Sequence, residues 1–258
     1  MGAFDFKGKR VLVTGASHGI GFAVASAFAE AGADLVILSS TEDITEAAAR
    51  IRLQTGRDLD HQVCDITDRS AVRRSVGGLG RLDVLINNAG LELMTPMLDG
   101  DEAVELTFKR IIDINVVGTY YVTREVLPLM AAGSSIVLTS SIWGKTGAAD
   151  FAAYVTSKHA NIGFMRALAK ELGPRGIRVN AVCPGWVKTR AAMRSLRLVS
   201  ERAGTSETGM LDQILAGQAL PGLMEPTDVV DLYLFLASEL ARNITGQAVN
   251  VDRGEVMV

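Results

Sequence analysis

The stretch RVLVTGASHGIG at residues 10–21 decides the fold, because it joins a β-branched strand to a helix through a glycine-rich turn. Gly15 permits the sharp turn, Gly19 lets the backbone approach a pyrophosphate, and Gly21 allows tight contact between the helix and the strand. The start of the helix then presents unpaired amide donors and a positive dipole end to phosphate groups. Glycines placed between a first strand and a first helix therefore predict a nucleotide site.

Short β-branched runs alternate with helical patterns along most of the chain. The predicted strands are 10–14, 34–38, 61–64, 83–87, 135–139, 177–182 and 247–251. Strands that are apolar on both faces and separated by helices are typical of a parallel sheet covered on both sides. The sequence therefore predicts an α/β fold: one doubly wound Rossmann-type domain over residues 1–258, with a seven-stranded parallel sheet. The alternation stops at about 188–220, which we interpret as a substrate lid or a plain surface insertion.

Composition and charge narrow the class of protein. At 258 residues, with 48% hydrophobic and 5% aromatic residues, the chain fits a single large α/β unit with an aliphatic core. The net charge is −3, and the basic residues are scattered and form no stripe along the sequence. We therefore expect neither nucleic acid nor a membrane as a partner. Cys64 and Cys183 are predicted to be reduced, buried thiols, and the three scattered histidines predict no metal site. The N-terminus lacks a secretory apolar core and no apolar run reaches about 18 residues, so we expect a cytoplasmic location.

A tyrosine and a lysine stand four residues apart in SIWGKTGAADFAAYVTSK at residues 141–158. On a helix, Tyr154 and Lys158 would lie side by side on one face. An ammonium beside a phenol stabilises the phenolate, so we expect the pKa of Tyr154 to fall below its ordinary value of about 10. Such a pair suits proton transfer to or from an alcohol oxygen. Taken alone, the spacing is more typical of an ordinary exposed pair on a helix, and the other motifs favour the chemical interpretation.

The choice of nucleotide depends on the end of the second predicted strand. An acid there would hold the ribose 2′-hydroxyl of NAD, whereas basic groups would accept the 2′-phosphate of NADP. This chain has Ser39, Ser40 and Thr41 at that point, with no carboxylate, and His18 lies in the glycine loop. The sequence therefore slightly favours NADP(H), with NAD(H) as the alternative. The three hydroxyl residues could also simply cap the next helix.

Five ordered motifs resemble those of the short-chain dehydrogenase/reductase family across essentially the whole chain. They are TGASHGIG at 14–21, NNAG at 87–90, Asn115 within DINVVGTYY, Ser141 standing 13 residues before Tyr154 of the YxxxK pair, and CPGWVKT at 183–189. The resemblance implies an oxidoreductase that transfers a hydride between a nicotinamide cofactor and a carbon bearing a hydroxyl or carbonyl group.

The resemblance also implies a role for each catalytic candidate. Ser141 would orient the substrate oxygen by a hydrogen bond, and the spacing favours it over Ser140. Tyr154 would exchange the proton, while Lys158 would lower the tyrosine pKa and bind the nicotinamide ribose. Asn115 would hold a water that links Lys158 to solvent, or alternatively would only bond back to its own helix.

A larger set of residues is implied to bind the cofactor. They are Gly15, Ser17, His18, Gly19, Ile20, Gly21, Ser39, Ser40, Thr41, Asp65, Ile66, Asn87, Ala89, Gly90, Tyr154, Lys158, Pro184, Gly185, Val187 and Thr189. Asp65 would approach the adenine ring, and the Val187 backbone with Thr189 would fix the nicotinamide carboxamide. Without the resemblance, Asp65 would be interpreted as a helix cap, and Pro184 with Gly185 as a turn.

The substrate is the least determined part. Trp143, Trp186, Glu92 and Arg190 are candidates to line its pocket, although each could be structural. We expect a small sugar, polyol, hydroxy acid or ketone, with a bulky acyl-carrier-protein substrate as the alternative. Two rival functions are a nucleotide-sensing protein without activity, against which the complete catalytic set argues, and a same-fold epimerase or dehydratase. The resemblance further implies a homotetramer built through the helices near 104–130 and 153–172.

Overall fold

One sheet of parallel strands organises residues 4–257, the part of the chain that the computed structural model describes. The strands are β1 (Arg10–Thr14), β2 (Asp34–Ser39), β3 (Asp60–Val63), β4 (Leu82–Asn87), β5 (Met130–Thr139), β6 (Arg178–Pro184) and β7 (Ala248–Val251). Their spatial order is β3-β2-β1-β4-β5-β6-β7, and each neighbouring pair is parallel. The predicted doubly wound α/β fold with a seven-stranded parallel sheet is therefore confirmed.

Nine α-helices connect and cover the strands within the described residues. They are α1 (Gly19–Glu30), α2 (Asp43–Thr55), α3 (Arg69–Val76), α4 (Glu102–Ile112), α5 (Thr119–Val126), α6 (Ala152–Leu172), α7 (Arg190–Ala203), α8 (Glu207–Ala216) and α9 (Val230–Ala237). A π-helical segment, Asp113–Gly118, joins α4 to α5 without a break. Over residues 4–257 no helix combines the length and apolarity that crossing a membrane requires.

Alternate residues of the central strand β1 pack on opposite faces of the sheet. Val11 and Val13 join Phe28 of α1 in one apolar core, to which α2 and α9 also contribute. Leu12 joins Val122 of α5 in the second core, to which α3 and α6 contribute. Because successive side chains of a strand point to opposite faces, aliphatic residues bury the sheet on both sides. This burial fixes the positions of the carboxyl ends of the strands.

The chain order reverses between β1 and β4, so a crevice opens at the carboxyl ends of these strands. The glycine turn after β1 meets the NNAG segment there, since a Cβ placed on Gly15 would lie 2.7 Å from the Cα of Ala89. Gly15 and Gly19 have φ values of +66° and +55°, and a Cβ on Gly21 would lie 2.3 Å from the carbonyl oxygen of Gly15. Glycine is therefore required at all three positions, for conformation or for space.

Residues 188–220, the predicted lid, contain α7 and α8. The Thr189 hydroxyl caps the start of α7 by accepting a hydrogen bond of 3.1 Å from the amide of Ala192. Helix α7 buries Ser195 and Leu196 against the rest of the protein. The segment is therefore a packed helical element beside the crevice, and its movement as a lid stays a prediction.

We predict that Gly21→Ala destabilises the protein by about 1–3 kcal/mol, the usual result of forcing extra atoms into a packed site. The added carbon would meet both the Gly15 carbonyl oxygen and the Asn88 side-chain amide at 2.3 Å. The midpoint of urea unfolding measures the change. Gly100→Ala is the matched control, because its added carbon would meet no atom within 4 Å. Equal midpoints for the two variants would contradict the packing argument.

Candidate active site

A groove and a pocket form one continuous cleft at the carboxyl edge of the sheet. The glycine loop lines the groove, and the segments that follow β5 and β6 line the pocket, whose volume is about 180 Å³. Asn88, Gly90 and Thr189 line both parts. A ligand lying along the groove can therefore reach the pocket with one end.

Tyr154 and Lys158 lie one helical turn apart on α6, and both line the pocket. The Nζ atom of Lys158 is 5.3 Å from the centre of the Tyr154 ring. The same atom donates a hydrogen bond of 2.8 Å to the carbonyl oxygen of Thr139, the last residue of β5. The two side chains are thus neighbours, as the spacing in the sequence predicts.

Burial dominates the acid–base properties of this pair. It raises the pKa of Tyr154, an effect that the Glu92 carboxylate increases and a hydrogen bond with Ser141 opposes. Burial also lowers the pKa of Lys158 to about 8, because the charged ammonium loses its hydration. The prediction that Lys158 brings the tyrosine pKa below its ordinary value is therefore wrong for this structure. The Tyr154 phenol is therefore uncharged at neutral pH.

Of the two adjacent serines after β5, Ser141 is the better placed to meet a substrate. The Ser140 hydroxyl donates a hydrogen bond of 3.0 Å to the carbonyl oxygen of Lys158, so it ties the strand end to α6. The Ser141 oxygen accepts a hydrogen bond of 3.1 Å from the amide of Trp143, and its hydroxyl is hydrogen-bonded with Tyr154. The geometry therefore favours Ser141, in agreement with the spacing argument.

Asn115 is fully buried in the π-helical segment between α4 and α5. Its Oδ1 accepts a hydrogen bond of 2.7 Å from the amide of Leu91. Its Nδ2 donates to the carbonyl oxygen of Leu91 and to the hydroxyl of Ser157, each at 2.9 Å. The side chain thus holds the segment after NNAG against α6, and the alternative that it only bonds back to its own helix is wrong. Its contact with a water stays a prediction.

The groove fits a dinucleotide by its own chemistry. Helix α1 begins at Gly19, where the N-cap residue His18 makes no side-chain capping bond and the first turn holds no acid. The amides at the helix start are therefore available to an anion. The predicted cofactor residues that line the groove are Gly15, Ser17, His18, Gly19, Ile20, Gly21, Ser39, Ser40, Asp65, Ile66, Ala89, Gly90 and Thr189. Those that line the adjoining pocket are Tyr154, Lys158, Pro184, Gly185 and Val187.

Asp65 lines the groove and also stabilises the turn that follows β3. Its Oδ1 accepts hydrogen bonds from the amide and the hydroxyl of Thr67, at 2.9 and 2.8 Å. Burial acts to raise the pKa of this carboxyl, but the two bonds and the nearby Arg110 hold it below its ordinary value. The actual N-cap of α3 is Asp68, whose side chain accepts from the amide of Ser70. Within residues 4–257 no three His, Cys, Asp or Glu side chains are grouped in a way that could hold a metal ion.

Two residues predicted to contact the cofactor lie outside the groove lining. Asn87 is buried, and its Nδ2 donates a hydrogen bond of 2.9 Å to the hydroxyl of Thr123 on α5. Thr41 is exposed beyond the groove. Asn88, which the sequence did not single out, lines the cleft and donates to two carbonyl oxygens of the glycine turn. Successive residues at a strand end point to opposite sides, which explains why Asn88 and not Asn87 faces the cleft.

Arg190, predicted for the substrate pocket, lines the nucleotide groove instead. Its Nη1 lies 3.3 Å from the Nε2 of His18 in the glycine loop. The same His18 atom is 2.8 Å from Oδ2 of Asp43, in the first turn of α2. The groove therefore contains an arginine beside the glycine loop. No motif or spacing predicts this contact, because 172 residues separate the two side chains.

The other three predicted substrate residues, Glu92, Trp143 and Trp186, do line the pocket. The Trp143 ring is nearly perpendicular to those of Trp186 and Tyr154, with centroid distances of 6.1 and 6.0 Å. The Glu92 Oε1 accepts a hydrogen bond from the hydroxyl of Ser195 on α7, and burial raises the pKa of this carboxyl. The pocket thus combines aromatic rings with a carboxylate that is bonded to the predicted lid.

One family model and several known proteins resemble this chain. A model described as enoyl-(acyl carrier protein) reductase matches residues 15–255. An uncharacterized oxidoreductase, YxjF, from Bacillus subtilis (strain 168) is 34% identical over 251 residues, which cover 94% of this chain and 96% of the relative. A short-chain type dehydrogenase/reductase from Mycobacterium ulcerans superposes with a TM-score of 0.85 at 29% identity, covering 98% of this chain and 91% of that one. A variant of actinorhodin polyketide ketoreductase, crystallised with NADPH, superposes with a TM-score of 0.88 at 29% identity, covering 98% of this chain and 99% of that one.

We predict that Lys158 makes the stability of the protein depend on pH. Its folded pKa of about 8 lies below the unfolded value of about 10.4, so between these values the unfolded chain binds more protons and stability rises with pH. Relative to Lys158→Met, the wild-type free energy of unfolding should increase by roughly 3 kcal/mol across this range. Urea unfolding at a series of pH values measures both proteins. Parallel curves for the two proteins would contradict the assigned pKa.

Proposed function

The chain belongs to the short-chain dehydrogenase/reductase family, and from this membership we propose that it transfers a hydride between NADP(H) and a secondary alcohol or carbonyl group of a small substrate. The observation that carries the proposal is the convergence of Ser141, Tyr154 and Lys158 in a pocket that opens into the glycine-loop groove. A nucleotide-sensing protein without activity would not need this combination of side chains.

Side chains of this protein can orient the substrate oxygen and give it a proton. The bound cofactor supplies the hydride to the carbonyl carbon in the direction of reduction. The Ser141 hydroxyl donates a hydrogen bond to the carbonyl oxygen, and the Tyr154 hydroxyl gives its proton to that oxygen as negative charge develops. The Tyr154 phenol is protonated at neutral pH, as a proton donor must be, although the rise of its pKa on burial makes it a weaker acid until the substrate oxygen accepts the proton. We propose that Lys158, whose ammonium donates a hydrogen bond to the Thr139 carbonyl, also binds the nicotinamide ribose.

The preference for NADP(H) is supported by the ribose end of the groove. Ser39 and Ser40 line it, and Arg190 lies beside His18, where a 2′-phosphate would gain a guanidinium partner. Asp43 disfavours NADP(H), because its carboxylate lies against His18 and would repel the 2′-phosphate. NAD(H) is therefore the alternative cofactor.

The pocket volume supports a small substrate. At about 180 Å³ it lies below the roughly 300–1,000 Å³ typical of ligand sites. A small sugar, polyol, hydroxy acid or ketone fits this space. The pocket could hold only the reactive end of an acyl-carrier-protein substrate, so we favour the small molecules.

A cytoplasmic homotetramer is the assembly that we propose. Helices α4 and α5 leave apolar side chains in solvent, with Leu106 59% and Tyr120 38% exposed, and association of subunits would cover this face. The two cysteines are free and buried, which is compatible with a reducing compartment.

Tyr154→Phe tests the proposed function. We expect kcat to fall by roughly 10²–10⁴-fold, because the variant has no proton to give to the substrate oxygen. The dissociation constant of NADPH should stay nearly unchanged, since the phenyl ring keeps the shape of the site. The absorbance of NADPH during reduction of a ketone panel measures turnover, and a fluorescence titration measures cofactor binding.

Ser140→Ala and Ser141→Ala form the matched control pair for this experiment. Ser141→Ala should lower kcat/KM, because the substrate oxygen loses a donor. Ser140→Ala removes only the bond to the Lys158 carbonyl, so it should mainly lower stability, by about 1 kcal/mol. Substantial turnover by Tyr154→Phe, or a larger loss of turnover in Ser140→Ala than in Ser141→Ala, would refute the assigned roles.

Ser39→Asp tests the proposed cofactor preference. A carboxylate at the end of β2 should accept the ribose hydroxyls of NAD and repel the phosphate of NADP, so the ratio of kcat/KM for the two cofactors should shift towards NAD. Thr41→Asp adds the same charge outside the groove and should leave the ratio unchanged. If Ser39→Asp also left the ratio unchanged, the ribose would have to bind elsewhere.

A further inference from the structure

The Glu92 carboxylate is an unusual component of the pocket, because no ion pair compensates its charge. Among the described residues it lies within 4.0 Å of no Lys, Arg or His nitrogen. Ser195 occupies only one of its two oxygens, Oε1, so Oε2 remains to accept a hydrogen bond from a ligand. Charged groups that are taken out of water are normally paired. The pocket therefore holds a carboxylate that no cation of the described residues contacts directly.

Aromatic rings lie in the same pocket as this carboxylate. Trp143, Trp186 and Tyr154 form a wall of edge-to-face contacts, and all three line the cavity with Glu92. Aromatic faces carry partial negative charge and attract cations, most strongly in the case of tryptophan. Both the rings and the carboxylate thus favour a positively charged ligand group.

Two cations face Glu92, and neither neutralises it by direct contact. Lys158 acts on it from α6, but its Nζ is bonded to the Thr139 carbonyl. Arg194 of α7 donates to the main-chain carbonyl oxygen of Glu92 and not to its carboxylate. A carboxylate on a substrate would therefore meet Glu92 as a like charge at short range, and an ammonium group would meet it as a partner.

We propose that the pocket selects small secondary alcohols and ketones that carry an ammonium group, with Glu92 as the residue that determines this specificity. The inference rests on the proposed function, because it names the substrate class of the same site. The limited cavity volume, about 180 Å³, requires the ammonium group to lie within a few bonds of the reacting carbon. Amino alcohols and amino ketones are thus preferred over the hydroxy acids that the sequence alone allows.

Three alcohols of nearly equal shape test the proposal. They are 1-amino-2-propanol, 2-butanol and 3-hydroxybutyrate, which share the group CH₃CH(OH)CH₂ and end in an ammonium, a methyl and a carboxylate. Turnover is measured with NADP⁺ for the wild-type protein and for Glu92→Gln, which keeps an acceptor for Ser195 but removes the charge. Glu30→Gln removes a charge from the exposed end of α1 and is the matched control.

Binding gives a second readout that does not need turnover. The two tryptophans of the chain, Trp143 and Trp186, both line the pocket, so intrinsic tryptophan fluorescence reports its occupancy. Titrations are made in the Tyr154→Phe background with and without NADP⁺, so that no alcohol is consumed during the measurement.

We expect kcat/KM and affinity to be about tenfold or more higher for the ammonium alcohol than for 2-butanol, as for a hydrogen bond to a charged group. Glu92→Gln should abolish this preference and raise kcat/KM and affinity for 3-hydroxybutyrate. Glu30→Gln should change neither the preference nor the values for 3-hydroxybutyrate. An equal or higher affinity for 2-butanol or 3-hydroxybutyrate, no saturable binding of 1-amino-2-propanol, or an unchanged preference in Glu92→Gln would overturn the inference. Failure of the proposed function is distinct, since it would appear as no turnover of any alcohol or ketone and no binding of NADP(H).

Discussion

The hydrogen bond from the Lys158 ammonium to the carbonyl oxygen of Thr139 is the contact on which the site depends. It joins a helix, α6, to the last residue of a central strand, β5, at 2.8 Å and away from solvent. A buried ammonium requires an acceptor, and a hydrogen bond to a charged group contributes about 1.5–3 kcal/mol. The Thr139 hydroxyl is in turn 2.9 Å from the hydroxyl of the fully buried Tyr233 on α9. The lysine is therefore positioned by the sheet and by the core on its far side, and Tyr154 is positioned with it, one helical turn away.

The architecture was predictable because short apolar, β-branched runs mark individual strands and recur along the chain. Apolar β-branched runs mark β1, β2, β4 and β6, and a parallel sheet places their carboxyl ends at one edge. Strand β5 begins at Met130, five residues before its predicted start. Residues 130–134 contain no β-branched residue, so their composition did not indicate a strand. They join the sheet through a shift in the register of pairing with β4, between Leu82 and Val84. The ends of strands thus depend on pairing partners, whereas their existence depends on composition.

The site was predictable only where its residues lie in motifs next to strand ends or on one helix. The glycine loop, Ser141, Tyr154 and Lys158 meet because the strands that precede them, β1 and β5, lie on either side of β4 and end at the same edge of the sheet. Contacts made by α7 had no such signal: Ser195 reaches Glu92 across 103 residues of sequence, and Arg190 reaches His18 across 172. These contacts depend on the orientation in which the amphipathic helix α7 packs over the crevice. Neither hydrophobic periodicity nor motif spacing specifies that orientation. The pKa of Tyr154 was mispredicted for a related reason, since proximity to a lysine is visible in the sequence and the degree of burial is not.

The arrangement of charges in the pocket is hard to explain by stability alone. Lys158 is buried, Tyr154 and Glu92 are partly buried, and burial shifts the pKa of each towards its neutral form. A folded core selected only for stability would replace such groups by aliphatic residues or would pair their charges directly, as Arg69 pairs with Glu125 on the surface. Here the lysine is bonded to a main-chain carbonyl and the glutamate to a serine, so each charge is oriented by a neutral group. Sites that depart from the stability rules are those at which a ligand is expected to complete the electrostatics. The proposed function would supply both partners, a nucleotide in the groove and a substrate in the pocket, beside three ionisable groups at one edge of the sheet.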